Sequence, residues 1–138
     1  MMTEAFTLPL NTSNNDLEVV GGKGRSISRL ANAGFNVPGG FQVPISAYRG
    51  FVTDNQLHDR ILELSIPTVH EGAISFDQAS INIAQLFAEH EQQADKLAAI
   101  AAAYDELPGQ PSVAVRSSAN AEDLPDLSFA GQQETFLN

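Results

Sequence analysis

An α+β fold, a small sheet with a helical middle, is predicted by three observations. Short β-type runs punctuated by Pro and Gly lie near both ends of the chain. The middle carries apolar residues at helical spacing in several separate blocks. Apolar residues make up 43% of the 138 positions and charged residues 17%, which is enough to bury the core of one domain, read here as residues 1–138.

The elements follow in order. "FTLPL" at 6–10 reads as a short strand, with Pro9 marking an edge because proline cannot donate to a ladder. The polar loop "NTSNNDLEVVGGKG" follows. From Arg25 to Ala33 the pattern is helical, with Ile27, Leu30 and Ala31 on one face; Gly34 reads as the C-cap and Pro38 as a stop. "GGFQV" at 39–43 reads as a short strand or extended segment. Ser46 is placed to N-cap a helix through Ala47, Tyr48, Phe51 and Val52. A short helix is predicted from Leu57 to Leu64, and "SIPTVHEG" is read as a connection.

Two longer helices are predicted near 76–90 and 92–106. Ile83, Leu86 and Phe87 form the apolar stripe of the first, and Leu97, Ile100, Ala101 and Tyr104 that of the second. "LPGQP" breaks the pattern. "SVAVR" is a strand, "SSANAEDLPDLSFAG" a long loop and "QETFLN" a final strand.

Charge and composition exclude several function classes. The formal net charge is −10, so a broad basic face for nucleic acid is not expected. No apolar run is long enough to span a bilayer, and the N-terminal stretch has no basic region of a secretory signal. No cysteine is present, which excludes a disulfide scaffold and a thiolate metal site and fits a cytoplasmic protein. Only seven residues are Lys or Arg, so their positions carry information.

Two polar clusters stand out. In "VGGKG", Lys23 sits between glycines before a helix. Glycines allow backbone N–H groups to approach an anion closely, and a helix N-terminus favours negative charge. The spacing is not that of a Walker A loop. The plainer reading is a glycine turn with one solvated lysine.

In the second cluster, Arg116 closes a strand, where a guanidinium can grip phosphate oxygens in a bidentate fork. Ser117 and Ser118 add small donors. Glu122 and Asp123 are placed to orient Arg116. A loop around Gly131 can fold over a triphosphate, with Thr135 adding a hydroxyl. The plainer reading is a long hairpin loop in which Arg116 pairs with Glu122 or Asp123. The length of the loop favours a functional role.

Together, "VGGKGRSISRLANAGFNVPGGFQVPISAYRGFV" and "VAVRSSANAEDLPDLSFAGQQETFLN" resemble the two signatures of the pyruvate, phosphate dikinase and phosphoenolpyruvate synthase family. The second is the more specific, with R-S-S-A, E-D, S-F-A-G-Q and T-F-L-N in fixed order. The segment from about 55 to 110 matches only in length and helical character.

The resemblance implies the N-terminal subdomain of an ATP-grasp-like nucleotide-binding domain. It implies ATP as ligand, with Mg²⁺ in the full-length enzyme. It implies that Lys23 and Arg116 bind ATP phosphates and that Gly131, Gln132, Gln133 and Thr135, with Glu134 more loosely, belong to the loop that covers them. Asn120 stands where the family carries threonine, and no role is assigned to it.

Family members pass the phosphoryl group through a histidine on a separate swivelling domain. His58, His70 and His90 lie in no matching context, so no catalytic residue is expected within these 138 residues. The resemblance also implies that the segment alone is inactive and binds ATP weakly or not at all. Its partners would be the remaining domains of the parent enzyme, or further copies of itself through an exposed apolar surface. The alternatives are a fragment of a rifamycin phosphotransferase, which carries a similar domain, and a non-catalytic nucleotide- or partner-binding module.

Overall fold

The computed structural model describes residues 5–120 and 135–137. In chain order the elements are β1 (Leu8–Pro9), α1 (Leu17–Asn32), β2 (Phe41–Gln42), α2 (Ile45–Asp54), α3 (His58–Leu64), β3 (Thr68–His70), β4 (Ala73–Ser75), α4 (Asp77–Ala88), α5 (Ala94–Asp105), β5 (Ala114–Arg116) and β6 (Thr135–Leu137). The fold is α+β, as expected. The chain divides into two compact units, one made of Met1–Ala47 with Asp95–Asn138 and the other of Tyr48–Ala94.

The strands do not form one small sheet. Among the described residues they make three separate antiparallel pairs, β1 with β2, β3 with β4 and β5 with β6. Among the described residues no strand exceeds three residues.

In the first unit, α1 starts earlier than the sequence suggested, at Leu17 rather than Arg25, and takes in the glycine cluster. It is two helical pieces joined at Gly21, whose φ of 71° and ψ of −178° are not helical. The first piece closes on the Asp16 carbonyl, which accepts from Val19 and Val20 N–H. The second runs from Gly22 and stops where expected. Gly34, at φ 84°, donates to the Ala31 carbonyl, and Phe35 donates to the Leu30 carbonyl. That pair of bonds is a Schellman motif with Gly34 in its left-handed position.

The inward face of α1 is Val20, Gly24 and Ser28, one residue per turn, while Leu30 is exposed. Sequence reading placed Leu30 inside because it followed hydrophobicity alone. Ser28 is wholly buried because Gln42 Nε2 donates to its Oγ at 2.8 Å. The same Gln42 amide reaches the Leu10 carbonyl at 3.5 Å, so one side chain ties β2, α1 and the end of the first strand segment together.

The inward face of α5 also differs from the expected stripe. Lys96 is buried and Leu97 is exposed. The ammonium of Lys96 lies 5.8 Å from the centroid of the Phe6 ring, where the face of the ring attracts a cation.

In the second unit, Phe51, Leu57 and Ala79 are buried. Phe87 of α4 stacks on Phe51 at 5.2 Å and on Tyr48 at 6.0 Å. The helices over 57–64 and 76–90 appear within a residue or two of their expected bounds. Ser46 is not the cap of α2. It lies one residue inside the helix, and the Pro44 carbonyl accepts the Ala47 N–H.

The stretch read as a connection contains the β3–β4 hairpin, with Val69 opposite Ile74. Its turn residues Glu71 and Gly72 both have positive φ, 49° and 82°, as a type I′ turn requires. Glutamate is an uncommon occupant of that position, so the turn signal was weak.

Candidate functional site

The two polar clusters meet in the first unit. Lys23 Nζ donates to the Ser117 carbonyl at 2.9 Å, although 94 residues separate them. Gly22 N–H donates to the Ala119 carbonyl at 2.9 Å. Ser118 Oγ donates to the Val20 carbonyl at 3.0 Å and accepts from Gly24 N–H at 3.4 Å. Four bonds therefore fasten residues 117–119 to the break in α1.

The local sequence dictates this geometry. Gly21 occupies a region of backbone space that is essentially restricted to glycine. It is also buried against the second cluster, where a Cβ would overlap Ser118 Oγ and lie 3.0 Å from the Ala119 amide nitrogen. A Cβ on Gly24 would overlap Gln42 Oε1 and lie 2.8 Å from Val20 Cβ. The glycines of "VGGKG" thus admit another part of the chain. This corrects the expectation that their amides approach an anion: the Gly22 and Gly24 amides are already bonded to residues 118–119. The signal for that close approach was present in the paired glycines, but nothing local named what would approach.

Arg116 ends β5 and is exposed. Its backbone pairs with Thr135 of β6 in the register Ala114↔Leu137, Val115↔Phe136, Arg116↔Thr135. The long loop of the second cluster therefore leaves and re-enters one hairpin. Lys23 reaches the carbonyl of the residue that follows Arg116, so two of the seven cations of a strongly acidic chain converge on one strand exit. Glu122, Asp123, Gly131, Gln132, Gln133 and Glu134 lie outside the described residues. For Thr135 only the backbone pairing is described.

His58 Nδ1 lies 3.2 Å from Asp59 Oδ1, and His90 Nδ1 lies 2.7 Å from the Leu86 carbonyl. His70 is exposed on β3. All three are in the second unit. A shallow cavity of about 330 Å³ in that unit is lined by Arg60, Leu64, Asn82, Gln85, Leu86 and Glu89. It contains none of the candidate phosphate-binding residues. Among the described residues, no helix is long and apolar enough to cross a membrane.

A glycine-broken helix bearing a lysine is thus clasped to a strand that ends in arginine. Residues 17–138 match the family described as pyruvate phosphate dikinase, AMP/ATP-binding domain, and the chain belongs to that family. It is 43% identical over 131 residues to the probable phosphoenolpyruvate synthase of Methanocaldococcus jannaschii, which covers 91% of this chain and 11% of that protein. It is 46% identical over 137 residues to the phosphoenolpyruvate synthase of Pseudomonas aeruginosa, covering 90% and 17% of the two chains. For the Escherichia coli phosphoenolpyruvate synthase the identity is 40% over 131 residues, covering 90% and 16%. The chain thus spans less than a fifth of the length of these relatives.

Proposed function

We propose that residues 1–138 are the N-terminal portion of an ATP-grasp-like domain and form one wall of the ATP site of a phosphoenolpyruvate synthase-type phosphotransferase. The observation that carries this reading is the convergence of Lys23 on the strand exit at Arg116. In the parent reaction, phosphoryl transfer from ATP drives phosphorylation of pyruvate by way of a histidine on another domain. The names of the relatives support pyruvate as the acceptor over the rifamycin alternative.

Phosphoryl transfer asks the protein for positioning and charge neutralisation rather than covalent chemistry. Lys23 supplies a compact point charge, and Arg116 a planar fork for two phosphate oxygens. Ser117 and Ser118 hold the backbone between them. Residues Gly131 to Thr135, through Gln132 and Gln133, cover the phosphates, and Glu122 and Asp123 orient the guanidinium.

When bound, Mg²⁺ would neutralise charge on the phosphates. Among the described residues no group of three or more His, Asp or Glu side chains converges, so none of them is assigned to the metal. The remaining domains of the parent enzyme, in the cytoplasm, complete the site. They, or further copies of this chain, cover its exposed apolar side chains.

The test is Arg116→Ala and Lys23→Gln in a full-length enzyme that carries this segment. Each is expected to lower ATP-dependent turnover by about 10²–10³-fold, the scale seen when one preorganised charge-stabilising donor is removed. The fold should stay intact by circular dichroism. An unchanged rate would remove that residue from the site. Titration of the 138-residue chain with ATP by calorimetry is expected to show weak binding or none, and tight Mg²⁺-dependent binding would overturn the reading that the chain supplies only one wall.

A further inference from the structure

The helix that restarts at Gly22 has Gly21 at its N-cap position, and glycine has no side chain with which to cap. In an ordinary cap, a Ser or Thr oxygen at that position accepts the N–H of the third helical residue. Here the third residue is Gly24, and its N–H is accepted by Ser118 Oγ at 3.4 Å. The place where a Gly21 Cβ would stand is filled by the same oxygen. Ser118 therefore lends the helix the cap that its own sequence omits, from 94 residues away.

The hydroxyl also donates to the Val20 carbonyl at 3.0 Å, on the far side of the break. It thus satisfies one acceptor and one donor that the interruption at Gly21 would leave without helical partners. The residues on either side of Ser118 complete the clasp: Ala119 accepts from Gly22 N–H, and Ser117 accepts from Lys23 Nζ.

From this geometry we infer that Ser118 is a positioning residue: its hydroxyl sets the location of Lys23 by capping the Gly22 helix from outside. The inference rests on the reading of Lys23 as a phosphate ligand only for its functional consequence. Ser118 itself need not touch the nucleotide.

The experiment uses the ligand-free 138-residue chain, with nuclear magnetic resonance of the wild type and of Ser118→Ala and Ser118→Thr. In the wild type, a scalar coupling across the hydrogen bond from Gly22 N to the Ala119 carbonyl carbon is expected. Its absence would overturn the proposal without any variant. In Ser118→Ala, exchange of the Gly22 and Gly24 amides should rise by about tenfold, the scale of a lost helix cap. The Lys23 side chain should lose order by methylene relaxation, while the β1–β2 amides stay protected.

Ser118→Thr keeps the oxygen and should behave as wild type. Unchanged protection in Ser118→Ala, or a Thr variant that behaves like Ala, would sink the proposal. Failure of the phosphate reading is separately visible. Lys23→Gln leaves the Gly22 and Gly24 bonds in place, and unchanged ATP use by the parent enzyme would then discard that reading alone.

Discussion

Gly21 and Ser118 meet so closely that no side chain fits between them. The glycine holds φ 71° and ψ −178°, and a Cβ there would overlap the serine hydroxyl oxygen. Gly21→Ala is therefore expected to combine backbone strain with displacement of residues 118–119, destabilising the fold by about 3 kcal/mol. Gly34 is the control. It too has positive φ, but nothing lies within 4 Å of its Cβ position, so Gly34→Ala should cost about 1 kcal/mol. Urea denaturation should show the two midpoints falling in that order. Equal losses would mean that the contact with Ser118 contributes nothing.

Gly24→Ala sets two effects against each other. Alanine in a helix interior gains about 1 kcal/mol over glycine. The new methyl must displace Gln42 Oε1, whose amide holds the buried Ser28, and it also meets Val20 Cβ at 2.8 Å. The packing loss should win, with net destabilisation of about 1–2 kcal/mol. Adding Gln42→Ala should not restore stability, because Val20 still blocks the methyl. A thermal midpoint above wild type in the single variant would reverse the ranking.

Phe87 joins Tyr48 and Phe51 in one aromatic stack. It is half-buried, so Phe87→Ala should cost about 2 kcal/mol, below the range for a fully buried ring. Phe87→Leu should lose less than about 1.5 kcal/mol, since most of the volume is kept. The near-ultraviolet circular dichroism of Tyr48 should weaken in the alanine variant. An unaltered Tyr48 signal would show that the stack does not order that ring.

Val69 and Ile74 face each other across the β3–β4 hairpin with 68% and 67% of their surface exposed. Ile66 and Phe76 flank them and are also exposed. Self-association of the chain at high concentration is expected to run through this patch. Val69→Thr with Ile74→Thr keeps strand propensity and should shift sedimentation toward monomer, with stability changed by about 0.5 kcal/mol or less. A wild-type chain that stays monomeric would remove the patch from this role.

Much of this architecture was legible locally. The stop at Gly34 could be read because a Schellman ending is written in two or three adjacent residues. The same holds for the helix over 58–64 and for the strands at 41–42 and 114–116. That Lys23 and Arg116 belong together followed from the family resemblance of the two motifs, not from either motif alone.

What escaped depends on distant partners. Nothing near Gly21 says that a serine hydroxyl will fill its missing side chain, and nothing near Ser28 says that Gln42 will reach it. Nothing near Lys96 says that the Phe6 ring will stand beneath its ammonium. The Glu71–Gly72 turn was missed because its strands are short and its first residue is unusual there.

The bonds between residues 20–24 and 117–119 also fix an order of events. They link positions 94 to 98 apart, and closing a loop of that length forfeits about 4 kcal/mol of chain entropy before any contact rewards it. During synthesis the Lys23 helix must therefore wait, incompletely capped, until the strand carrying Arg116 has left the ribosome. The Schellman ending at Gly34 and the hairpin at Glu71–Gly72 need no such delay. The clasp is assembled from segments made far apart in time, and a ribosome that stalls before Ser118 leaves a chain with its short-range structure in place and its lysine unmoored.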